Sequence, residues 1–108
     1  MKRLIGVFAV LCVLAGCKGT NKSKTIKIGI VQLVEHPALD DAYKGFVDGL
    51  SEAGYTDGTN ISIDYENAQG EQANCVTIAH KLVNDRSDLI LAIATPAAQS
   101  VANVTKDI

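Results

Sequence analysis

The spacing of hydrophobic residues changes several times along the chain and predicts six elements after residue 25. Residues 25–36, TIKIGIVQLVEH, are rich in β-branched side chains and predict a buried strand. In residues 37–55 the apolar positions recur every three to four residues, which predicts a helix. Pro37 suits the first turn of this helix, and Gly54 suits a left-handed cap at its end.

The second half of the chain repeats this alternation. Residues 61–66, ISIDYE, alternate apolar and polar side chains, as expected of an edge strand with one wetter face. Residues 88–94, DLILAIA, are apolar from Leu89 onward, which predicts a central parallel strand buried on both faces. Two more helices are predicted, with apolar faces formed by Cys75, Val76, Ala79, Leu82 and Val83 and by Ala98, Val101, Val104 and Thr105.

Strands that alternate with helices predict an α/β fold. We expect a three-layer βαβαβα parallel sheet in the order 2-1-3, with right-handed crossovers. The length allows one small domain at most.

The start of the chain resembles an export signal. A basic pair, Lys2-Arg3, precedes the apolar run LIGVFAVLCVL, which is shorter than the roughly 20 apolar residues of a membrane-spanning helix. The next residues, Leu14-Ala15-Gly16-Cys17, resemble the bacterial lipobox, whose cysteine receives a lipid and becomes the first mature residue. The polar stretch KGTNKSKT follows and is typical of a flexible tether.

We therefore predict a lipoprotein signal peptide at 1–16 and a lipidated Cys17 with its tether at 17–25. The remainder, 26–108, would be extracytoplasmic and lipid-anchored to the bacterial cell membrane, at the cell surface or the periplasmic face. An uncleaved N-terminal anchor is the alternative, and it also leaves the rest of the chain outside the cytoplasm.

Charge and cysteine content narrow the classes of partner. The chain has 10 Lys and Arg against 12 Asp and Glu, a formal net charge of −2, and loss of the leader would leave eight basic residues. No basic patch remains, which argues against nucleic acid as a partner. With Cys12 in the leader and Cys17 lipidated, Cys75 has no partner for a disulfide and is predicted to be a small buried hydrophobe.

Three loops follow the predicted strands, and ligands bind at the carboxyl ends of strands in such sheets. The loop sequences are VEHP, ENAQG and ATPAAQ. In the last, Thr95 is predicted to cap the third helix with Pro96 at its first position. The amides of Ala97 and Ala98 would then be free to bind a carboxylate or similar anion. The motif alone favours a simpler interpretation, a capped helix without a ligand.

Catalytic and metal-binding patterns are weak. Glu35 beside His36 could serve acid–base chemistry, but adjacent residues on a strand end point to opposite sides, which favours ligand contact or loop structure instead. The pair Asp40-Asp41 falls in the first helical turn and suits the helix dipole, and His80 is expected to be solvated. No nucleotide-binding, nucleophile-elbow or metalloprotease motif occurs, so we predict no enzyme activity, cofactor or metal.

The blocks EHPALD, ENAQG and IATPAAQ, with the residues around them, closely resemble the ABC-transporter substrate-binding lipoproteins of the tryptophan- and tyrosine-binding type. The resemblance covers 26–108 and implies the first part of the N-terminal lobe of a type I periplasmic-binding-protein-like fold. It implies a small amino-acid ligand such as tryptophan, tyrosine or phenylalanine, held between two lobes and delivered to ABC permease subunits.

The resemblance also implies a site. The ligand carboxylate would meet the start of the third helix, and the other loops would line the same cleft. The residues concerned are Val34, Glu35, His36, Asn67, Gln69, Thr95, Pro96, Ala97 and Ala98.

Members of this family are longer than the present chain. We therefore expect a truncated fragment that binds weakly or not at all alone. Two other hypotheses stay open: an extracytoplasmic ligand-sensing module coupled to a receptor, and a secreted enzyme that uses Glu35 and His36.

Overall fold

The computed structural model describes residues 24–108. The elements are β1 (Ile26–Gln32), α1 (Pro37–Glu52), β2 (Ile61–Asn67), α2 (Gln72–Asn84), β3 (Leu89–Ile93) and α3 (Thr95–Val104). Both strand pairings are parallel and the order is β2-β1-β3, so the predicted α/β fold and strand order are confirmed. The predictions of a signal peptide at 1–16 and of lipidation at Cys17 lie outside the described residues.

The register brings the carboxyl ends of the three strands to one edge of the sheet. Gln32, the last residue of β1, lies opposite Asn67 on one side and Ile93 on the other. Because these are also the last residues of their strands, the three following loops start side by side.

The core lies on both faces of the sheet. On the α1 face the buried residues are Ile28, Ile30, Ile61 and Ile93, and half-buried side chains of α1 pack against them. On the α2 and α3 face they are Val31, Ala68, Cys75, Leu82 and Ala97. The predicted burial of Cys75 is confirmed.

The predicted ends of α1 are confirmed. The helix begins at Pro37, and Gly54 follows its end with φ of +99°. The amide of Gly54 donates to the Ser51 carbonyl (3.0 Å), and that of Tyr55 donates to the Leu50 carbonyl (2.8 Å). This pair of bonds is a Schellman motif, which satisfies the last carbonyls of the helix.

Two predictions of burial were wrong. Strand β3 is not buried on both faces: Leu89 is 48% exposed, and only Ile93 is buried. Within the described residues β3 pairs on one side only, with β1, so its apolar composition does not give it a central position. In α3 the buried residues are Ala97 and Ser100, whereas Ala98 is exposed.

None of the helices described between residues 24 and 108 is long and apolar enough to cross a membrane.

Candidate functional site

Backbone hydrogen bonds join the three loops at the carboxyl end of the sheet. The Leu33 amide donates to the Ile93 carbonyl (3.2 Å), and the Gly70 amide donates to the Leu33 carbonyl (2.8 Å). The Ala68 amide donates to the Gln32 carbonyl (2.9 Å). We call the surface formed by residues 33–36, 67–70 and 94–98 the carboxyl edge, and it contains every predicted ligand-binding residue.

The loop after β1 carries three of those residues. Val34 is half-buried, while Glu35 and His36 are exposed. His36 is the N-cap of α1, and its Nδ1 accepts a hydrogen bond from the Ala38 amide (3.1 Å). The imidazole therefore satisfies one of the free donors at the start of the helix.

This cap gives a direct prediction for His36→Ala. Loss of an N-cap side chain lowers the free energy of unfolding by about 1 kcal/mol. His80→Ala is the matched control, because His80 is exposed on α2. Urea denaturation should show the loss in the first variant only, and an equal stability of the two variants would contradict a capping role.

The loop after β2 is shaped by Asn67. Its Oδ1 accepts a hydrogen bond from the Gln69 amide (2.8 Å), and its Nδ2 lies 3.4 Å from the Tyr65 hydroxyl. Gln69 adopts a left-handed conformation with φ of +57°, and it is exposed. The half-buried Asn67 therefore fixes the turn, and the side chain of Gln69 is accessible at the carboxyl edge.

The start of α3 differs from its prediction by one residue. The N-cap is Ala94, with φ of +91° and no side-chain hydrogen bond, so Thr95 is the first helical residue and Pro96 the second. Thr95 is therefore not the cap, and Pro96 is not at the first position. The Ala98 amide donates to the Ala94 carbonyl (3.0 Å), so it is not free as predicted. The amides of Thr95 and Ala97 lie before this first bond of the helix, so they have no hydrogen-bond partner within the helix.

The first turn of α3 is tied to α2. The Gln72 Nε2 donates to Ser100 Oγ (3.0 Å), and that hydroxyl donates to the Pro96 carbonyl (2.9 Å). The side chain of Ala97 is fully buried in the core, which leaves only its backbone for a ligand. Thr95 and Ala98 are exposed.

Gln32 supports this site and was not predicted from the sequence. Its side chain is fully buried, and its Nε2 donates to the Val34 carbonyl (2.9 Å) and to Asp40 Oδ1 (2.8 Å). One signal was available, since Gln32 follows Ile28 and Ile30 at the next position on the same face of β1. Asp40 lies in the first turn of α1, as predicted, and it also accepts this bond.

Another charged cluster lies away from the carboxyl edge. Lys81 Nζ contacts Asp64, Glu66 (3.3 Å) and Asp85 (3.2 Å), and the hydrogen bond that it donates to the Asp64 carboxylate raises the pKa of Lys81. These ion pairs link α2 to β2, and because the four side chains are one-third to one-half exposed they add little stability.

Two observations concern thiol chemistry and metal binding in the part of the chain that the structure describes. Burial raises the pKa of the Cys75 thiol, which disfavours the nucleophilic thiolate. No group of three or more His, Cys, Asp or Glu residues that could hold a metal ion lies between residues 24 and 108.

A shallow apolar groove lies at the opposite edge of the sheet. Its walls are formed by Ile26, Ile28, Leu50, Tyr55, Ile61 and Leu89. The surface that lines this groove is apolar, in contrast to the polar lining of the carboxyl edge.

Comparison with known proteins gives a family match over most of the chain. Residues 27–108 match the family model described as ABC transporter substrate binding protein. The chain is 54% identical over 91 residues to a tyrosine-binding protein of Clostridioides difficile (strain R20291). That alignment covers 84% of this chain and 26% of the relative, so the chain spans about a quarter of the relative's length.

Solved structures show the same similarity. A ligand-free, open substrate-binding protein with adhesive properties from Clostridium difficile superposes with a TM-score of 0.77 at 54% identity, over 78% of this chain and 28% of that one. An ABC domain in complex with L-Trp from Streptococcus pneumoniae gives a TM-score of 0.74 at 48% identity, over 78% and 28%. A conserved domain protein from Vibrio cholerae gives 0.76 at 46%, over 77% and 28%.

Proposed function

Because this chain belongs to the ABC transporter substrate-binding protein family, we propose that it is the solute-binding component of an ABC importer and binds an aromatic amino acid. The family consists of binding proteins rather than enzymes. The observation that carries the proposal is the meeting of three loops and the start of α3 at one carboxyl edge. Such an edge is where open parallel sheets bind their ligands.

The chemistry of this edge suits the backbone of an amino acid. The amides of Thr95 and Ala97, at the positive end of α3, are donors for a carboxylate. The side chains of Glu35, Asn67 and Gln69 are acceptors at the same edge and suit an ammonium group.

The aromatic preference rests on the relatives. One is named a tyrosine-binding protein, and another was solved with L-Trp. In our proposal the half-buried apolar side chains of Val34 and Pro96 contact the ligand beside its polar groups, together with His36 and the exposed side chain of Ala98.

The proposal extends to location and partners. We propose that residues 1–16 are a signal peptide, that Cys17 carries the lipid, and that 17–25 form the tether of an extracytoplasmic protein. The folded part, 26–108, would belong to the N-terminal lobe and would deliver its ligand to ABC permease subunits. The residues at the lipobox and the family match over residues 27–108 support this arrangement.

Titration calorimetry of the intact gene product tests the ligand. The panel is tryptophan, tyrosine and phenylalanine, with glycine and aspartate as controls. We expect heat of binding with at least one aromatic amino acid and none with the controls. Heat with the controls alone would contradict the aromatic preference, and no heat with any of the five would remove the proposed function.

Metabolic labelling with palmitate tests the anchor. We expect the wild-type protein to incorporate label and to fractionate with membranes, and Cys17→Ser to do neither. Cys75→Ser is the matched control and should keep both properties, since Cys75 is buried in the folded part. Label retained by Cys17→Ser would contradict the lipoprotein assignment.

A further inference from the structure

We propose that Gln32 is a positioning residue, which holds the loop of residues 33–36 and the first turn of α1 in the shape that this loop presents to the ligand. The part of the inference that concerns the ligand rests on the proposed function. The part that concerns the shape of the loop rests on geometry alone.

The side-chain amide of Gln32 connects β1, the loop that follows it and α1. Its side chain starts from the end of the central strand β1, and it is fully buried. One N–H bond goes to the carbonyl of Val34 in the loop (2.9 Å), and the other goes to the carboxylate of Asp40 in α1 (2.8 Å). A single side chain therefore fixes both the loop and the helix relative to the sheet.

Among residues 24–108, the backbone hydrogen bonds of this loop lie at its two ends. At its start the Leu33 amide bonds the Ile93 carbonyl, and at its end the Asp40 amide bonds the His36 carbonyl (2.8 Å). Between them, the Val34 carbonyl accepts from the amide of Gln32. The side chain thus supports the stretch that lies between the two anchors.

The oxygen of this side-chain amide argues against a role in packing alone. Within residues 24–108, Gln32 Oε1 is buried and has no hydrogen-bond partner. A buried acceptor without a partner destabilises a fold, and an aliphatic residue would extend the pattern of Ile28 and Ile30 without that cost. What glutamine adds at this position is its two N–H donors, which reach the loop and α1.

Hydrogen exchange of the intact gene product, followed by mass spectrometry, tests the inference. In Gln32→Glu a carboxylate faces the Asp40 carboxylate and the Val34 carbonyl with no N–H to donate. We expect amide exchange in 33–40 to accelerate about tenfold, because one or two hydrogen bonds are lost. Exchange in 72–84 should stay unchanged. Gln72→Glu is the matched control and should leave 33–40 unchanged, because Gln72 bonds Ser100 instead.

A compensating pair separates positioning from general destabilisation. In Gln32→Glu/Asp40→Asn the new amide at position 40 can donate to the carboxylate at position 32, which restores the link between β1 and α1. We expect exchange at residues 38–40 to return most of the way to the wild-type rate. Exchange in 33–36 should stay faster, because the Val34 carbonyl still receives no N–H from position 32. If Gln32→Glu does not fold, Gln32→Met, which is uncharged and similar in size, tests the same loss of donors.

Titration calorimetry of the same variants measures the effect of Gln32 on ligand affinity. We expect Gln32→Glu to weaken binding of the aromatic amino acid at least about tenfold, because a mobile loop must be ordered on binding. The pair should recover only part of the affinity, since it restores the bond to α1 and not the bond to the Val34 carbonyl. If the wild type binds no amino acid, the proposed function fails and the exchange data still decide the role of Gln32. Unchanged exchange in 33–40, an equal rise in every segment, or no recovery at residues 38–40 in the pair would overturn the inference.

Discussion

Leu82→Ala should lower the free energy of unfolding by about 2–5 kcal/mol. Leu82 is fully buried and packs between α2 and the sheet, in the cluster that contains Val31, Cys75 and Ala97. Truncation removes its methyl groups from the core and leaves a cavity beside β1. Urea denaturation measures the change directly.

The matched control is Val76→Ala on the same helix. Val76 is 39% exposed, so its truncation removes less buried surface and should cost about 1 kcal/mol or less. If both variants lost the same stability, the packing of α2 described here would be wrong.

Gly29→Ala should destabilise the protein by about 1–3 kcal/mol through overpacking. A Cβ at this position in β1 would lie 2.8 Å from Leu82 Cδ2 and 3.0 Å from Ser87 Oγ. Neither neighbour can move freely, because Leu82 is buried and the Ser87 hydroxyl donates to the Leu82 carbonyl (2.7 Å). The glycine is therefore required by the close approach of α2 to the central strand.

Two further variants test whether the loss in Gly29→Ala comes from the contact with Leu82. Gly45 lies in α1 with nothing within 4 Å of its Cβ position, so Gly45→Ala should stabilise by about 0.5–1 kcal/mol. In Gly29→Ala/Leu82→Ala the clash is relieved, so the combined loss should be smaller than the sum of the two single losses. A purely additive loss would show that the added methyl group does not meet Leu82.

The sequence was sufficient to predict the fold because its local signals agree with one another. The change of period after residue 36, Pro37 at the helix start and Gly54 after its end each indicate the same α1. Alternating strands and helices then leave few topologies, since parallel crossovers are right-handed. The strand order followed from that rule together with the likeness to doubly wound sheets.

Burial and helix phase were harder to predict, for identifiable reasons. Strand β3 has the composition of a central strand, yet exposure depends on which strands flank it, and Leu89 is exposed. At α3 a threonine followed by proline is a good start signal. The left-handed backbone of Ala94 takes the cap position instead, and this moves the helix by one residue.

The side-chain contacts that hold the loops of the candidate site could not be predicted from local sequence patterns. The contact between Gln32 and Asp40 joins residues eight positions apart, and it exists only after β1 and α1 have packed. The cap by His36 is a local contact, but a residue pair such as Glu35-His36 has several possible roles in sequence. Only the position of the ring beside the Ala38 amide distinguishes a cap from an acid–base pair.

A single titration tests the central claim, that the carboxyl edge binds an aromatic amino acid. Amide chemical shifts of the ¹⁵N-labelled intact gene product are followed as tryptophan, and then tyrosine, is added. We predict shifts concentrated in residues 33–36, 67–70 and 94–98. Shifts confined to the apolar groove around Tyr55 and Leu89, or no shifts with either amino acid, would contradict the account.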